Sequence, residues 1–177
     1  MNTSSLAFAT PASRSRLALD DGRQGVDYER LDELVEEEAD WLTVSGERFA
    51  LLADNGLGWA IADLALHRRA LPSVPLPGFF TPGQIRHALD DAGIDGLLTD
   101  DPSRMRGLLP GWRTAGVSGR TGLALFRRQL DASTRPSLPS GTAKVTYTSG
   151  STGAPKGVCL GAAQLDAIAR SLARATE

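Results

Sequence analysis

The sequence has little that suits an oxidising or membrane setting. It holds one cysteine, Cys159, so no disulfide can form within the chain and a reducing cytoplasm is the expected location. No stretch reaches the roughly 18 apolar residues of a membrane span. Met1 to Leu17 contains no apolar run of signal-peptide length. Excess positive charge is also missing. A formal net charge of -2 argues against a nucleic-acid partner held by a basic surface. There is no low-complexity block and no internal repeat.

What is present is ordinary globular composition. Hydrophobic residues at 41% and charged residues at 23% are enough for a packed core. The length of 177 residues fits one domain or part of one. Residues 1–25 read as irregular and polar, with only Arg16–Leu19 of strand character. Asp27 reads as an N-cap, and Leu31, Leu34, Val35, Ala39 and Leu42 then fall on one face of a helix. The acidic run Glu36, Glu37 and Glu38 reads as a mainly solvated face of that helix.

Beyond residue 48, short apolar runs alternate with helical patterns. Phe49–Ala53 has the length of a buried strand. Trp59–Leu71 is apolar on most sides and reads as a buried helix. Ser73–Leu76 is a second strand. Thr81-Pro82-Gly83-Gln84 has the form of a capping box with proline at the first helical position. Ile85, Ala88, Leu89 and Ala92 make that helix's apolar stripe, and Gly93 ends it. Gly96–Thr99 is a third strand, and Asp101-Pro102 opens a short helix to Leu108. This alternation implies parallel strands joined by right-handed crossovers, in an α/β sheet with packed helices. Leu123–Phe126 is a further strand candidate. Lys144–Thr148 is another, and Leu165, Ile168, Ala169 and Leu172 mark a last amphipathic helix. Val158–Leu160 could form a short strand before it.

The chemistry concentrates in Thr148–Gly157, which reads T-S-G-S-T-G-A-P-K-G. Gly150, Gly153 and Gly157 let backbone amides converge. Thr148, Ser149, Ser151 and Thr152 bring hydroxyl donors. Lys156 brings a compact positive charge, and Pro155 stiffens the chain before it. Such a loop surrounds an anion with donors. It does not match G-x-x-x-x-G-K-[ST], because the lysine precedes the last glycine and no hydroxyl residue follows it. It does not match G-x-G-x-x-G either. A flexible Ser/Gly linker would have no reason to follow a strand directly or to end in Pro-Lys-Gly.

The run Val145–Val158 resembles the phosphate-loop signature of the adenylate-forming (AMP-binding) superfamily. That superfamily holds acyl-CoA synthetases, adenylation domains of peptide synthetases, and luciferases. Upstream, Val26–Leu31 is similar to the family's T-Y-x-E-L segment. Phe49–Asn55 followed by Trp59 is similar to V-A-L-L-x-x-N-…-W, and Ser73–Leu76 to V-V-P-L. Pro77–Pro82 (P-G-F-F-T-P) looks more like the acyl-CoA synthetase branch than the peptide-synthetase branch.

The resemblance implies a large α/β N-terminal domain with a mainly parallel sheet. It also implies a two-step reaction. A carboxylic acid, for which a fatty acid is one candidate, attacks the α-phosphate of ATP with Mg2+ to give an acyl-adenylate and pyrophosphate. A thiol, usually coenzyme A, then takes the acyl group. By carry-over Thr148, Ser149, Ser151, Thr152, Pro155 and Lys156 contact the nucleotide, while Gly150, Gly153 and Gly157 shape the loop. No residue of the chain is expected to ligate a metal. The family's later segments are not found in the sequence: an aromatic-x-x-T-E stretch, a ribose-binding aspartate, a hinge and a C-terminal domain with a catalytic lysine. Residues 26–177 therefore read as an incomplete N-terminal domain with the C-terminal domain absent. Three readings stay open: an inactive fragment, half of a split enzyme completed by another polypeptide, and a non-catalytic phosphate-binding or interaction module. Gly161-Ala162-Ala163 stands where many members carry a T-H or S-H pair.

The remaining candidates read as structural. His67 lies four residues after Asp63 and reads as a helix-face pair. Neither His67 nor His87 reads as catalytic. Cys159 reads as a small buried residue, and Trp41, Trp59 and Trp112 as packing.

Overall fold

A computed structural model describes residues 13–43, 48–131, 133–148 and 155–176. The first elements form a ribbon. Strand β1 (Leu17–Asp20) pairs antiparallel with β2 (Gly25–Asp27). Helix α1 (Tyr28–Thr43) follows, and Asp27 caps it as expected by accepting the Arg30 amide at 2.8 Å. The predicted stripe of Leu31, Leu34, Val35, Ala39 and Leu42 is buried.

Next come β3 (Phe49–Leu52), α2 (Leu57–Arg68), β4 (Ser73–Pro75), α3 (Pro82–Asp91), β5 (Gly96–Thr99) and α4 (Pro102–Leu108). The capping box is complete. Gln84 N donates to Thr81 Oγ1 at 3.3 Å, and Thr81 N donates to Gln84 Oε1 at 2.9 Å. Gly93 takes φ +60 where α3 ends, a conformation that favours glycine. The chain ends with β6 (Arg113–Val117), β7 (Ala124–Arg127), β8 (Thr142–Thr148), β9 (Lys156–Gly161) and α5 (Ala162–Thr176).

Seven strands form one sheet in the order β6-β7-β5-β3-β4-β8-β9. The four central strands pair in parallel: β3 with both β4 and β5, and β4 with β8. The α/β sheet read from the sequence is therefore present, with a parallel centre. Its flanks are antiparallel: β5 with β7, β7 with β6, and β8 with β9. The β3-α2-β4 and β4-α3-β5 crossovers step in opposite directions along the sheet. Crossovers of one hand must then lie on opposite faces, and two separate cores show that they do. Phe49 and Leu51 of β3 pack with α1 and α2, while Ala50 and Leu52 pack with α3 and α4. Alternate residues of one strand thus feed both cores.

Two expectations need correction. Glu36 and Glu37 are exposed, but Glu38 is fully buried. Its carboxylate accepts hydrogen bonds from the Ser118 and Thr121 hydroxyls. Burial pushes the Glu38 carboxyl above its ordinary value of 4.5, although the Ser118 bond and nearby Arg120 pull the other way. Asp63 does not pair with His67. Both of its oxygens accept from Lys144 Nζ at 2.7 Å, while His67 Nε2 lies 3.8 Å from Asp166 on α5. The tertiary partner reached Asp63 ahead of the helical neighbour. No helix among the described residues is long and apolar enough to cross a membrane.

Candidate functional site at the end of strand β8

The four parallel strands point the same way, so the segments after Leu52, Pro75, Thr99 and Thr148 share one edge of the sheet. Ligands of open α/β sheets bind at that edge, where successive helices diverge to opposite faces. Here α2 and α3 diverge after β3 and β4, and β8 lies directly beside β4. At the same edge Asp100 accepts the Asp54 amide at 2.8 Å. Phe79, in the segment after β4, is 81% exposed.

The predicted loop leaves this edge from the end of β8. The sequence pattern makes it a strand-to-helix connection with a short strand beyond it. That strand is longer than the pattern suggests and antiparallel, so the loop spans a hairpin between β8 and β9, and α5 follows β9. Thr148 and Lys156 are register partners across the mouth of the hairpin. Directly opposed residues project from the same face, and both are exposed. A hydroxyl and an ammonium are thereby brought together where an anion could meet both. Among the described residues no carboxylate pairs with Lys156. Pro155 is buried just before it. Ser149, Gly150, Ser151, Thr152 and Gly153 lie outside the described residues.

Gly157 is needed for space. A Cβ there would lie 2.9 Å from Val145 Cγ1 and 3.0 Å from Tyr147 Cζ. Tyr147, opposite Gly157 in the register, is buried, and its hydroxyl donates to Asp91 of α3 at 2.6 Å. Burial, then the hydrogen bond to Asp91, raise the phenol well above its ordinary value, so it stays a donor.

One contact was not read from the sequence. His87 of α3 brings Nε2 to 3.0 Å from the Pro155 carbonyl oxygen. The available signal was its place beside the apolar stripe of a helix that had to pack on the sheet. Cys159, expected to be buried, is half-buried and packs against the α3–α4 core. Trp41, Trp59 and Trp112 also pack against the cores as expected.

A family model described as AMP-binding enzyme matches residues 8–176. The chain is 31% identical over 146 residues to a linear gramicidin synthase protein of Brevibacillus parabrevis, across 80% of this chain and 3% of that protein. It is 33% identical over 141 residues to the 4-hydroxyphenylalkanoate adenylyltransferase of Mycobacterium marinum, across 74% of this chain and 22% of that protein. Among solved structures it resembles a malonyl-CoA ligase complex with methylmalonyl-CoA and AMP bound, with a TM-score of 0.67 and 25% identity, over 96% of this chain and 35% of that one. The fold also matches o-succinylbenzoate CoA synthetase from Bacillus subtilis, with a TM-score of 0.63 and 23% identity, over 90% of this chain and 43% of that one. The chain thus spans less than half the length of each of these relatives. With the match running over nearly all of its own length, the chain belongs to the AMP-binding, adenylate-forming enzyme family.

Proposed function

We propose that Thr148–Gly157 holds the β- and γ-phosphates of ATP during activation of a carboxylic acid. The carrying observation is the paired placement of Thr148 and Lys156 at the mouth of the β8–β9 hairpin. In this reading the carboxylate attacks the α-phosphorus, the bond to the bridging oxygen breaks, and pyrophosphate leaves. Negative charge builds on the departing phosphates. Lys156 and the Thr148 hydroxyl act as donors placed in advance for that charge. Ser149, Ser151 and Thr152 would add hydroxyls, and Gly150 and Gly153 room for backbone amides. Magnesium enters with the nucleotide as its counterion.

For the second step we favour transfer of the acyl group to coenzyme A, releasing AMP. The P-G-F-F-T-P segment at Pro77–Pro82 and the likeness to the malonyl-CoA ligase support it. The likeness to the gramicidin synthase supports a second reading, adenylation within a peptide synthetase. Residues 26–177 would supply the phosphate-gripping part of the domain. The acid site and the thiol site would draw on segments that relatives carry outside the matched region, in the same or a complementing polypeptide. A cytoplasmic setting fits either reading.

Titration of the 177-residue chain with ATP tests the core of this proposal. Amide resonances of Thr148, Lys156 and Gly157 are expected to move with added ATP. ATP–pyrophosphate exchange with the chain alone, across panels of fatty, aromatic and amino acids, is expected to stay at background. Silent resonances would sink the phosphate assignment. Robust exchange would sink the division of labour and identify the acid.

A further inference from the structure

We infer that His87 is a positioning residue that sets the place of Lys156 from the α3 side. The inference rests on the phosphate-binding reading of the hairpin. Helix α3 reaches the chain before Lys156 directly and the chain after it by way of Tyr147, and the lysine itself is exposed. On the upstream side, His87 Nε2 lies 3.0 Å from the Pro155 carbonyl oxygen. A carbonyl oxygen only accepts, so Nε2 must carry the proton. Proline has no N–H, so this carbonyl is the only backbone group Pro155 can offer as a hydrogen-bond anchor.

On the downstream side, Gly157 packs over Tyr147. Tyr147 is tied to α3 by its bonds to Asp91 at 2.6 Å and to the Ala88 carbonyl at 3.4 Å. His87 and Asp91 are four residues apart, so one face of α3 holds both anchors. The His87 and Tyr147 rings meet edge to face, with centroids 6.4 Å apart. The lysine is therefore bracketed, directly one residue before it and through Tyr147 one residue after, by a helix whose start is fixed by its own capping box. Such bracketing limits where the ammonium can travel and lowers the ordering needed when an anion arrives.

The test compares the wild-type chain with His87→Ala and with His87→Gln, whose side-chain amide can still donate. Ligand-free amide resonances of Lys156 and Gly157 are recorded first, and ATP is then titrated. His87→Ala is expected to move both resonances and to weaken ATP binding about three- to ten-fold. His87→Gln is expected to restore resonances and affinity towards wild type. Unmoved resonances in His87→Ala, or moved resonances with unchanged affinity, would overturn the inference. If His87→Ala does not hold its fold, His87→Gln decides: wild-type resonances and affinity support the role, and their loss overturns it. A wild-type chain that ignores ATP overturns the phosphate-binding reading instead, and with it the inference. The ligand-free comparison then still shows whether His87 holds the strand.

Discussion

A single methyl group at Gly157 would press on Val145 and Tyr147 at about the distance of a steric overlap. Gly157→Ala is expected to destabilise the chain by about 1–3 kcal/mol, read as a lower urea midpoint with an unchanged slope. Its neighbour behaves oppositely. Lys156 is exposed and touches no carboxylate among the described residues, so Lys156→Ala should leave the urea midpoint in place. On the proposed reading the same change should weaken ATP about ten- to a hundred-fold, because a hydrogen bond to a charged group would be lost. An unchanged dissociation constant would contradict the role given to Lys156. Glu38 gives a prediction in pH. Its folded carboxyl binds a proton more readily than the unfolded one. Its contribution is complete below 4.5 and is lost as pH rises through its higher folded value. Glu38→Gln keeps an acceptor for Ser118 and removes the buried charge. The variant should melt higher than wild type near neutral pH and lose that advantage in acid. A constant difference across pH would refute this account.

Among the elements, those governed by nearby residues were legible and those governed by distant ones were not. The stripe of α1, its Asp27 cap, the Thr81–Gln84 box and the Gly93 stop depend on residues within a turn of one another, and all are where the pattern put them. Strand β6 was missed. Its residues are mostly exposed, and Gly116 breaks the register at φ +154. The direction of β7 was also hidden, because an apolar run of four reads alike in parallel and antiparallel company. Glu38 looked solvated because its partners, Ser118 and Thr121, sit far along the chain. At the candidate site, the loop motif picked out Lys156 and Gly157, which lie at the start of β9. The hairpin geometry and the His87–Pro155 contact were not legible, since both depend on how the chain after the loop folds back beside β8 and α3. The capping box offers a test at this scale. Thr81→Ala should destabilise by about 1 kcal/mol. It should also blur the amide resonances of Lys156, because α3 carries both His87 and Asp91.

At the scale of the molecule, a polar tie joins the helix layer to the sheet. Lys144 of β8 reaches Asp63 of α2, and both side chains are largely buried. Asp63→Ala should cost about 1.5–3 kcal/mol by leaving the ammonium without its acceptor. Replacing both together, as in Asp63→Leu with Lys144→Met, should recover most of that loss. The double-mutant cycle in urea measures the coupling, and simple additivity would mean the tie carries little.

The pairing of β4 with β8 also has a consequence in time. Only Ser73 and Lys144 are register partners there, and they are far apart in sequence. Closing so long a loop is slow compared with forming the β3–β4–β5 centre, whose strands are neighbours along the chain. The β8–β9 hairpin should therefore be among the last parts to gain protection in pulsed hydrogen exchange. During refolding the protein would acquire its hydrophobic centre first, and the proposed phosphate grip only once β8 has found its place.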